Sequence, residues 1–258
     1  MNIIYLLFHG LSPYSGISKK ILHQVKGFEA CGHRVSLCTY SIADNGHRAR
    51  MINDEIIEDY GTGKPAAAKR RVSYQCIYRY AITHQVELIY VRSFHNANPF
   101  TIRLFSKLRK AGIKIAMEIP TYPYDSEYAG FPLVTRLGIQ VDKVFRKTLA
   151  KHVNAIVTFS DYHCIFGQRT IQISNGVDFD SIPLKKTVSK NTSVIHLLGV
   201  AEVHYWHGYD RLIEGLGKYT KTRQTQPYFS TSQAVYGNPK CMIHNTLPDF
   251  MNLSTNII

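Results

Sequence analysis

The stretch of sequence that decides the fold is residues 2–40, which read NIIYLLFHGLSPYSGISKKILHQVKGFEACGHRVSLCTY. It opens with an apolar run, residues 2–8, of the kind that forms a strand buried on both faces of a sheet. After a polar loop, apolar residues recur at helical spacing between positions 21 and 28. A second apolar segment, residues 34–40, follows, so the stretch predicts a strand, a helix and a second strand.

The same alternation continues to about residue 174. Further strands are predicted at residues 87–91, 113–117, 155–159 and 170–174, and helices at residues 69–85, 98–110, 136–151 and, briefly, 161–166. Residues 41–68 are predicted to form a long loop with room for one short helix. This order predicts an α/β fold with a Rossmann-like, doubly wound parallel sheet, whose ligands bind at the carboxyl ends of the strands.

The domain organisation is predicted from a change in composition near residues 181–193, which are polar and typical of a linker. Residues 1–183 are predicted to form the Rossmann-like domain. Residues 184–220 would supply the linker and the first strand and helix of a second Rossmann-like domain, and residues 221–258 an irregular tail. Because such a domain needs about 100 residues, the second domain is predicted to be incomplete.

The composition excludes several classes of protein. A chain with 45% hydrophobic and 19% charged residues is globular rather than disordered, and it has no apolar run of membrane-spanning length. Its five cysteines are odd in number and form no CxxC pair, which argues against a disulfide framework or a zinc site and favours a reducing cytoplasm. The formal net charge of +13 favours polyanionic partners, but it does not distinguish nucleotides, anionic lipids and nucleic acids.

The loop between the first strand and the first helix holds Ser15, Gly16 and Ser18. A glycine at this point lets the backbone approach a phosphate, which the helix N-terminus also favours. The alternative is a tight turn in which Ser15 is the helix N-cap, and the local sequence favours this alternative.

Residues 117–125, MEIPTYPYD, place a carboxylate and two tyrosines just after a predicted strand. Glu118 is a candidate general base that acts on an acceptor hydroxyl. Tyr122 and Tyr124 offer ring faces and hydroxyls to a sugar or a base. The alternative is that Glu118 caps or pairs with a neighbouring basic helix.

Two later segments add candidate residues. Asn175 and Gly176 form a strong turn signal. Gly199 ends a predicted strand, and the polar loop with His204 and His207 leads into a predicted helix, which is again anion-site geometry. Alternatively, both histidines are solvated loop residues. Without a clear third ligand they predict no metal site.

These segments, in this order and spacing, resemble glycosyltransferase family 4, whose two facing Rossmann-like domains form the GT-B fold. The resemblance covers residues 1–218 and rests on the Ser-Gly loop, IVTFS at 156–160, ISNGVD at 173–178 and HGYDRLIEGL at 207–216. It implies that the amino-terminal domain binds the acceptor and the carboxyl-terminal domain binds the sugar nucleotide. It also implies retention of the anomeric configuration, with no metal or other cofactor.

The resemblance also assigns roles by position. Gly16 matches the loop near the donor phosphates, Glu118 matches an acceptor-site position that is commonly histidine, and His207 matches a position where many members carry lysine for the donor diphosphate. The family's two donor-domain glutamates, eight positions apart, have no counterpart after Leu216. We therefore expect an interrupted chain, or a separate chain that supplies the donor domain.

The leading hypothesis is thus a glycosyltransferase that moves a sugar from a nucleotide sugar to a saccharide or lipid-linked acceptor, in the synthesis of cell-surface polysaccharide or glycolipid. It would act in the cytoplasm or at the inner face of the membrane. One alternative is an inactive fragment or acceptor-binding half-domain. The other is a basic nucleic-acid-binding protein, which only the charge favours, since no RNA-binding signature or zinc finger accompanies it.

The predicted helix at 136–151 bears on the acceptor. Its apolar residues recur at helical spacing, and several basic residues lie off that stripe. The stripe consists of Leu137, Val141, Val144, Phe145 and Leu149, and the basic residues are Lys143, Arg146, Lys147 and Lys151. Such a helix would suit a membrane-surface acceptor, or it is a core helix with a solvated cationic face.

Overall fold

A computed structural model of the chain describes residues 1–13, 15–43, 45–93, 95–125, 132–176, 178 and 208–223. The chain divides into two compact units, Met1–Lys185 and Lys186–Ile258. Most of the predicted linker, the predicted first strand of the second domain and nearly all of the predicted tail lie outside the described residues.

The first unit alternates strands and helices. Its elements are β1 (Asn2–Leu6), α1 (Gly16–Ala30), β2 (Arg34–Ile42), β3 (Arg48–Ile52), β4 (Glu55–Gly61), α2 (Gly63–Lys69), α3 (Gln75–Thr83), β5 (Leu88–Arg92), α4 (Pro99–Lys110), β6 (Lys114–Ile119), α5 (Leu133–Ala150), β7 (Ala155–Thr158), β8 (Cys164–Ile165) and β9 (Gln168–Gln172). In the second unit the described residues form α6 (Tyr209–Arg223), where a helix is predicted to begin.

The strands of the described part of the chain form one sheet in the order β4-β3-β2-β1-β5-β6-β7-β9-β8. From β2 to β9 all neighbouring strands are parallel, while β3 and β4 on one edge and β8 on the other are antiparallel additions. The chain builds the sheet outward from β1 to β2 and then returns to place β5 on the other side of β1. In doubly wound sheets this reversal point is where ligands bind.

Helices cover both faces of the sheet. On one face, Ile21 of α1 lies in a buried cluster with Ile3 of β1. On the opposite face, Ile77 of α3, Leu104 of α4 and Leu149 of α5 belong to a larger cluster. The strands are therefore buried on both sides, as their continuous apolar runs predict, and the predicted α/β, Rossmann-like, doubly wound fold is confirmed.

The prediction of a long loop at residues 41–68 is wrong. β2 extends to Ile42, and β3 and β4 form an antiparallel hairpin on the sheet edge, followed by α2. The hairpin turn is Asn53-Asp54, with φ of 48° and 69°, residue types that tolerate this left-handed backbone. The Asn53 side chain also accepts a hydrogen bond from the Leu37 backbone N–H at 2.8 Å. Charged residues on both strands conceal the strand period in the sequence.

Two helix predictions also need correction. Residues 161–166 do not form a helix, because β8 and β9 pair as a hairpin around Phe166-Gly167, whose φ values are 54° and 82°. The predicted helix 69–85 is two helices, because α2 ends at Lys69 and α3 spans only Gln75–Thr83. Between them the chain turns, and Tyr74 is buried just before α3 begins.

Helix α5 does not turn its whole apolar stripe toward the core. Leu149 is buried and Phe145 packs against the core cluster, but Leu137, Val141 and Val144 are exposed. Ile139 and Asp142 face inward instead. Among the described residues, no helix is long and apolar enough to cross a lipid bilayer.

Candidate functional site

The loop after β1 lies at the reversal point and is held close to β2. Gly10 passes so near the end of β2 that a Cβ at this position would lie 2.7 Å from the Tyr40 carbonyl oxygen. The Ser12 N–H donates to the Ser18 hydroxyl oxygen at 2.9 Å. The loop is therefore folded back onto the start of α1 rather than extended into solvent.

The predicted N-cap role of Ser15 is confirmed, since its side-chain oxygen accepts a hydrogen bond from the Ser18 backbone N–H at 3.5 Å. Gly16 is the first residue of α1, and a Cβ there would meet nothing within 4 Å. The Ser15 and Ser18 hydroxyls are thus engaged within the loop, while the backbone at Gly16 is open. The contact of this loop with a donor phosphate stays a prediction.

Glu118, at the end of β6, is fully buried and every carboxylate oxygen is engaged. Its Oε1 pairs with Arg92 Nη1 of the neighbouring strand at 2.5 Å. Its Oε2 accepts from the Tyr90 hydroxyl at 2.7 Å and from Gln24 Nε2 at 2.9 Å. Glu118 thus pairs with a cation of a strand, not of a helix. The exposed fraction of Glu118 is 0%. Its role as a general base stays a prediction.

This buried network reaches the surface through α1. The Tyr5 hydroxyl donates to Gln24 Oε1 at 2.6 Å, which links β1 to the same carboxylate. One turn earlier on α1, the half-buried Lys20 places its Nζ 3.6 Å from the centre of the Phe159 ring. Burial lowers the pKa of Lys20, Glu118 opposes that effect, and Arg92 adds to it. Because Arg92 is neutralised by Glu118, Lys20 is the cation that places net positive charge beside the N-terminal half of α1 among these residues.

The two tyrosines of the candidate site differ in accessibility. Tyr124 is buried and its hydroxyl donates to Asp142 Oδ2 at 2.8 Å, so that burial and Asp142 raise its pKa. Tyr122 is half-buried and packs edge-on against Tyr162, with ring centres 4.9 Å apart. Of the two, Tyr122 is the one whose ring is accessible to a ligand.

His95 also belongs to the site, although none of the sequence motifs described above includes it. It lies in the loop after β5, at the reversal point, with a φ of 45°. Its ring centre is 5.1 Å from that of Tyr124, and Asp142 Oδ1 holds the loop by accepting from the Ala97 N–H at 3.0 Å. Burial lowers the pKa of His95, against the pull of Asp142 and Asp125, so the imidazole is neutral at pH 7. Only its place after a buried strand signals it in the sequence.

Asp125 closes the other side of this loop cluster. Arg146 of α5 donates to both of its carboxylate oxygens, at 2.7 and 3.2 Å, and Lys143 lies 3.6 Å away. The hydrogen bond from Arg146 is the main reason that the pKa of Asp125 is lowered. This pairing ties the segment after β6 to α5.

The remaining predicted residues lie in the segment after β9 or outside the described residues. Asn175 is exposed in the segment after β9, which Asp178 ties to α1 by pairing with Lys26 at 2.7 Å. Gly199, His204 and His207 lie outside the described residues. No group of three or more His, Cys, Asp or Glu residues that could hold a metal ion occurs in the part of the chain that the structure describes.

The fold and the site define the first unit as an α/β protein with a Rossmann-like, doubly wound sheet and a charged cluster at its reversal point. Comparisons with protein-family models, curated proteins and solved structures found no match to the chain.

Proposed function

We propose that the chain is a sugar-nucleotide-dependent glycosyltransferase, or the acceptor-side portion of one, which transfers a sugar to a saccharide or lipid-linked acceptor. The observation that supports it best is the open backbone at Gly16, one helical turn before the half-buried Lys20, at the reversal point of a doubly wound sheet. A helix N-terminus with adjacent positive charge favours the diphosphate of a sugar nucleotide. Since a fold hosts many functions, the sugar-transfer part of the proposal rests on the sequence resemblance.

In this proposal the acceptor lies against the loops after β5 and β6. Tyr122 offers an aromatic face to a sugar ring. His95, neutral at pH 7, is able to exchange a hydrogen bond or a proton with an acceptor hydroxyl. The buried Glu118 fixes the guanidinium of Arg92 and is a positioning residue in this arrangement.

The test is the binding and turnover of a panel of sugar nucleotides, measured as binding of nucleoside diphosphates and as their release in the presence of saccharide acceptors. Two glycines of α1 offer a matched pair, because a Cβ at Gly16 or at Gly27 meets nothing within 4 Å. Gly16→Leu should weaken binding of the nucleoside diphosphate at least about tenfold by blocking the backbone N–H groups. Gly27→Leu should leave the affinity unchanged.

The proposal fails if no nucleoside diphosphate of the panel binds, or if both variants bind as the wild type does. Lys20→Gln supplies a second check, because it removes one positive charge at the same place without adding bulk. Lys20→Gln should weaken the binding of the nucleoside diphosphate more than the binding of the uncharged nucleoside. Equal losses for both ligands would contradict a diphosphate contact.

A further inference from the structure

A second concentration of positive charge surrounds Tyr40, on β2. Arg48 Nη1 donates to the Tyr40 hydroxyl at 2.9 Å. The Cζ atoms of Arg70 and Arg50 lie 4.3 and 6.0 Å from the centre of the Tyr40 ring. Arg50 Nη1 also donates to the Leu7 carbonyl oxygen at 2.8 Å, which places the group at the carboxyl ends of β1 and β2. We call Arg48, Arg50 and Arg70 the arginine cluster.

No carboxylate of the described residues forms an ion pair with the arginine cluster. Among the described residues no Asp or Glu oxygen lies within 4.0 Å of its nitrogens. Glu58 is on the adjacent strand, but its Oε1 accepts from the Ser73 hydroxyl at 2.9 Å. The Nε atoms of all three arginines are buried and have no hydrogen-bond partner in the described part of the chain.

The charges of Arg48 and Arg50 act against the ionised form of Arg70. In Arg50 itself the effect of burial is outweighed by Cys38 and Tyr60, so that its pKa is raised. The pKa of Arg70 is lowered, first by burial and then by the charges of Arg71, Arg48 and Arg50, with Tyr40 alone opposing. Arg50 is only 1% exposed. Buried cations that lack a counter-charge are costly, and the face of an aromatic ring offsets only part of that cost.

We propose that the arginine cluster is a binding site for a phosphate-type oxyanion, such as a phosphomonoester. Such an anion supplies the missing negative charge and several acceptor oxygens for the fork-shaped guanidinium groups. The anion would contact the half-buried Arg48 and Arg70 from the solvent side. The buried Arg50 would attract it electrostatically from the interior side of the cluster.

This site is separate from the one proposed for the sugar nucleotide. Tyr40 packs with Ala66 of α2, whereas Gly16 and Lys20 belong to α1. Arg48 and Arg50 belong to β3 and Arg70 follows α2, so the two groups of cations come from different elements. The second group is suited to a phosphate on a molecule other than the sugar nucleotide. The inference does not depend on glycosyl transfer.

The test measures the thermal unfolding of the full chain in rising concentrations of inorganic phosphate, with sodium chloride at equal ionic strength as the reference. Phosphate should raise the Tm of the wild type beyond the chloride reference, because a ligand of the folded state stabilises it. In Arg70→Gln the apparent Kd for phosphate should increase at least about tenfold, as expected for loss of a charged hydrogen-bond donor. Arg79→Gln, an exposed change of equal charge on α3, should respond as the wild type does.

Two further arms make the result decisive. Phosphate should still raise the Tm of Gly16→Leu, and the response that remains once the Gly16 site is blocked is assigned to the arginine cluster. If Arg70→Gln does not fold, Arg70→Lys and calorimetric titration of the wild type with phosphate take its place. An equal response in Arg70→Gln and Arg79→Gln, or a wild-type response that chloride reproduces, would overturn the proposal.

The source of the phosphate is resolved by comparing inorganic phosphate with a short-chain phosphatidic acid below its micelle concentration. Tighter binding of the lipid would assign the site to a lipid headgroup, and equal or weaker binding would assign it to a soluble phosphate. Both results support the oxyanion site, and binding of neither compound overturns it.

Discussion

The ion pair between Arg92 and Glu118 is the costliest single contact to disturb, because both groups are buried and the carboxylate also accepts from Tyr90 and Gln24. Glu118→Gln leaves the guanidinium without its counter-charge. We expect it to lower the free energy of unfolding by about 3–5 kcal/mol, measured by urea denaturation. Lys26→Gln, which breaks a more exposed pair with Asp178, should cost no more than about 1 kcal/mol. Equal losses in the two variants would contradict this view of the site.

His95 should make stability depend on pH. Because burial lowers its folded pKa below the ordinary 6.5, its neutral form contributes stability that is complete above pH 6.5. That contribution is lost as the pH falls from 6.5 through the folded pKa. His95→Asn keeps a residue type that tolerates a φ of 45° and should flatten the curve of unfolding free energy against pH in this window. An unchanged slope would show that other groups, such as His152, cause it.

Some of these residues are predictable from the sequence and others are not. Glu118 is predictable because it follows an apolar strand in a loop rich in proline and tyrosine. Its partner Arg92 is not predictable, because the sequence reveals neither that β5 lies beside β6 nor that the strand register places Arg92 opposite Glu118. The arginine cluster is hidden for the same reason, because its members come from β3 and from the turn after α2.

At the scale of elements, helix α5 carries an exposed apolar stripe beside a row of basic side chains. The exposed fractions of Leu133, Leu137, Val141 and Val144 are 67%, 57%, 45% and 71%. Arg136, Lys147 and Lys151 are exposed on the same helix. We predict that this face of α5 binds the surface of an anionic bilayer, which would bring a lipid-linked acceptor to the site edge where α5 begins.

Binding to phosphatidylglycerol vesicles tests this surface. Replacing Arg136, Lys147 and Lys151 together by Gln should weaken binding about 100-fold, since each basic residue near an anionic bilayer contributes about 1 kcal/mol. Lys143 and Arg146 are unsuitable for this test because they hold Asp125. As a control, Ile56→Gln and Ile82→Gln change exposed apolar residues of other elements and should not affect binding. Binding that is equal in all variants would exclude α5 as the contact.

Element types are predicted well where one signal dominates. The apolar runs of β1 and β5 are such signals, and both segments form buried strands as predicted. The hairpin of β3 and β4 escapes prediction because its strands carry Arg48, Arg50 and Glu58, which only the tertiary fold buries or pairs. Long-range pairing overrides local propensity there.

At the scale of the whole molecule, every described strand of the sheet lies in the first unit. A fragment of residues 1–185 should therefore unfold cooperatively, as followed by circular dichroism during urea denaturation. A fragment of residues 1–172 lacks Ile173, which packs against the core, and Asp178, which pairs with Lys26. It should be less stable by about 1–3 kcal/mol. A non-cooperative transition in the longer fragment would show that the first unit needs the rest of the chain.

Gly10 illustrates how a solvent-exposed position can be as restricted as a core position. A Cβ there would press on the backbone of β2 at Tyr40, and backbone cannot move aside as a flexible side chain does. In a saturation library scored for folded protein, position 10 should accept fewer amino acids than its buried neighbour Leu7. A ranking of mutational tolerance by surface area alone would place these two positions in the wrong order.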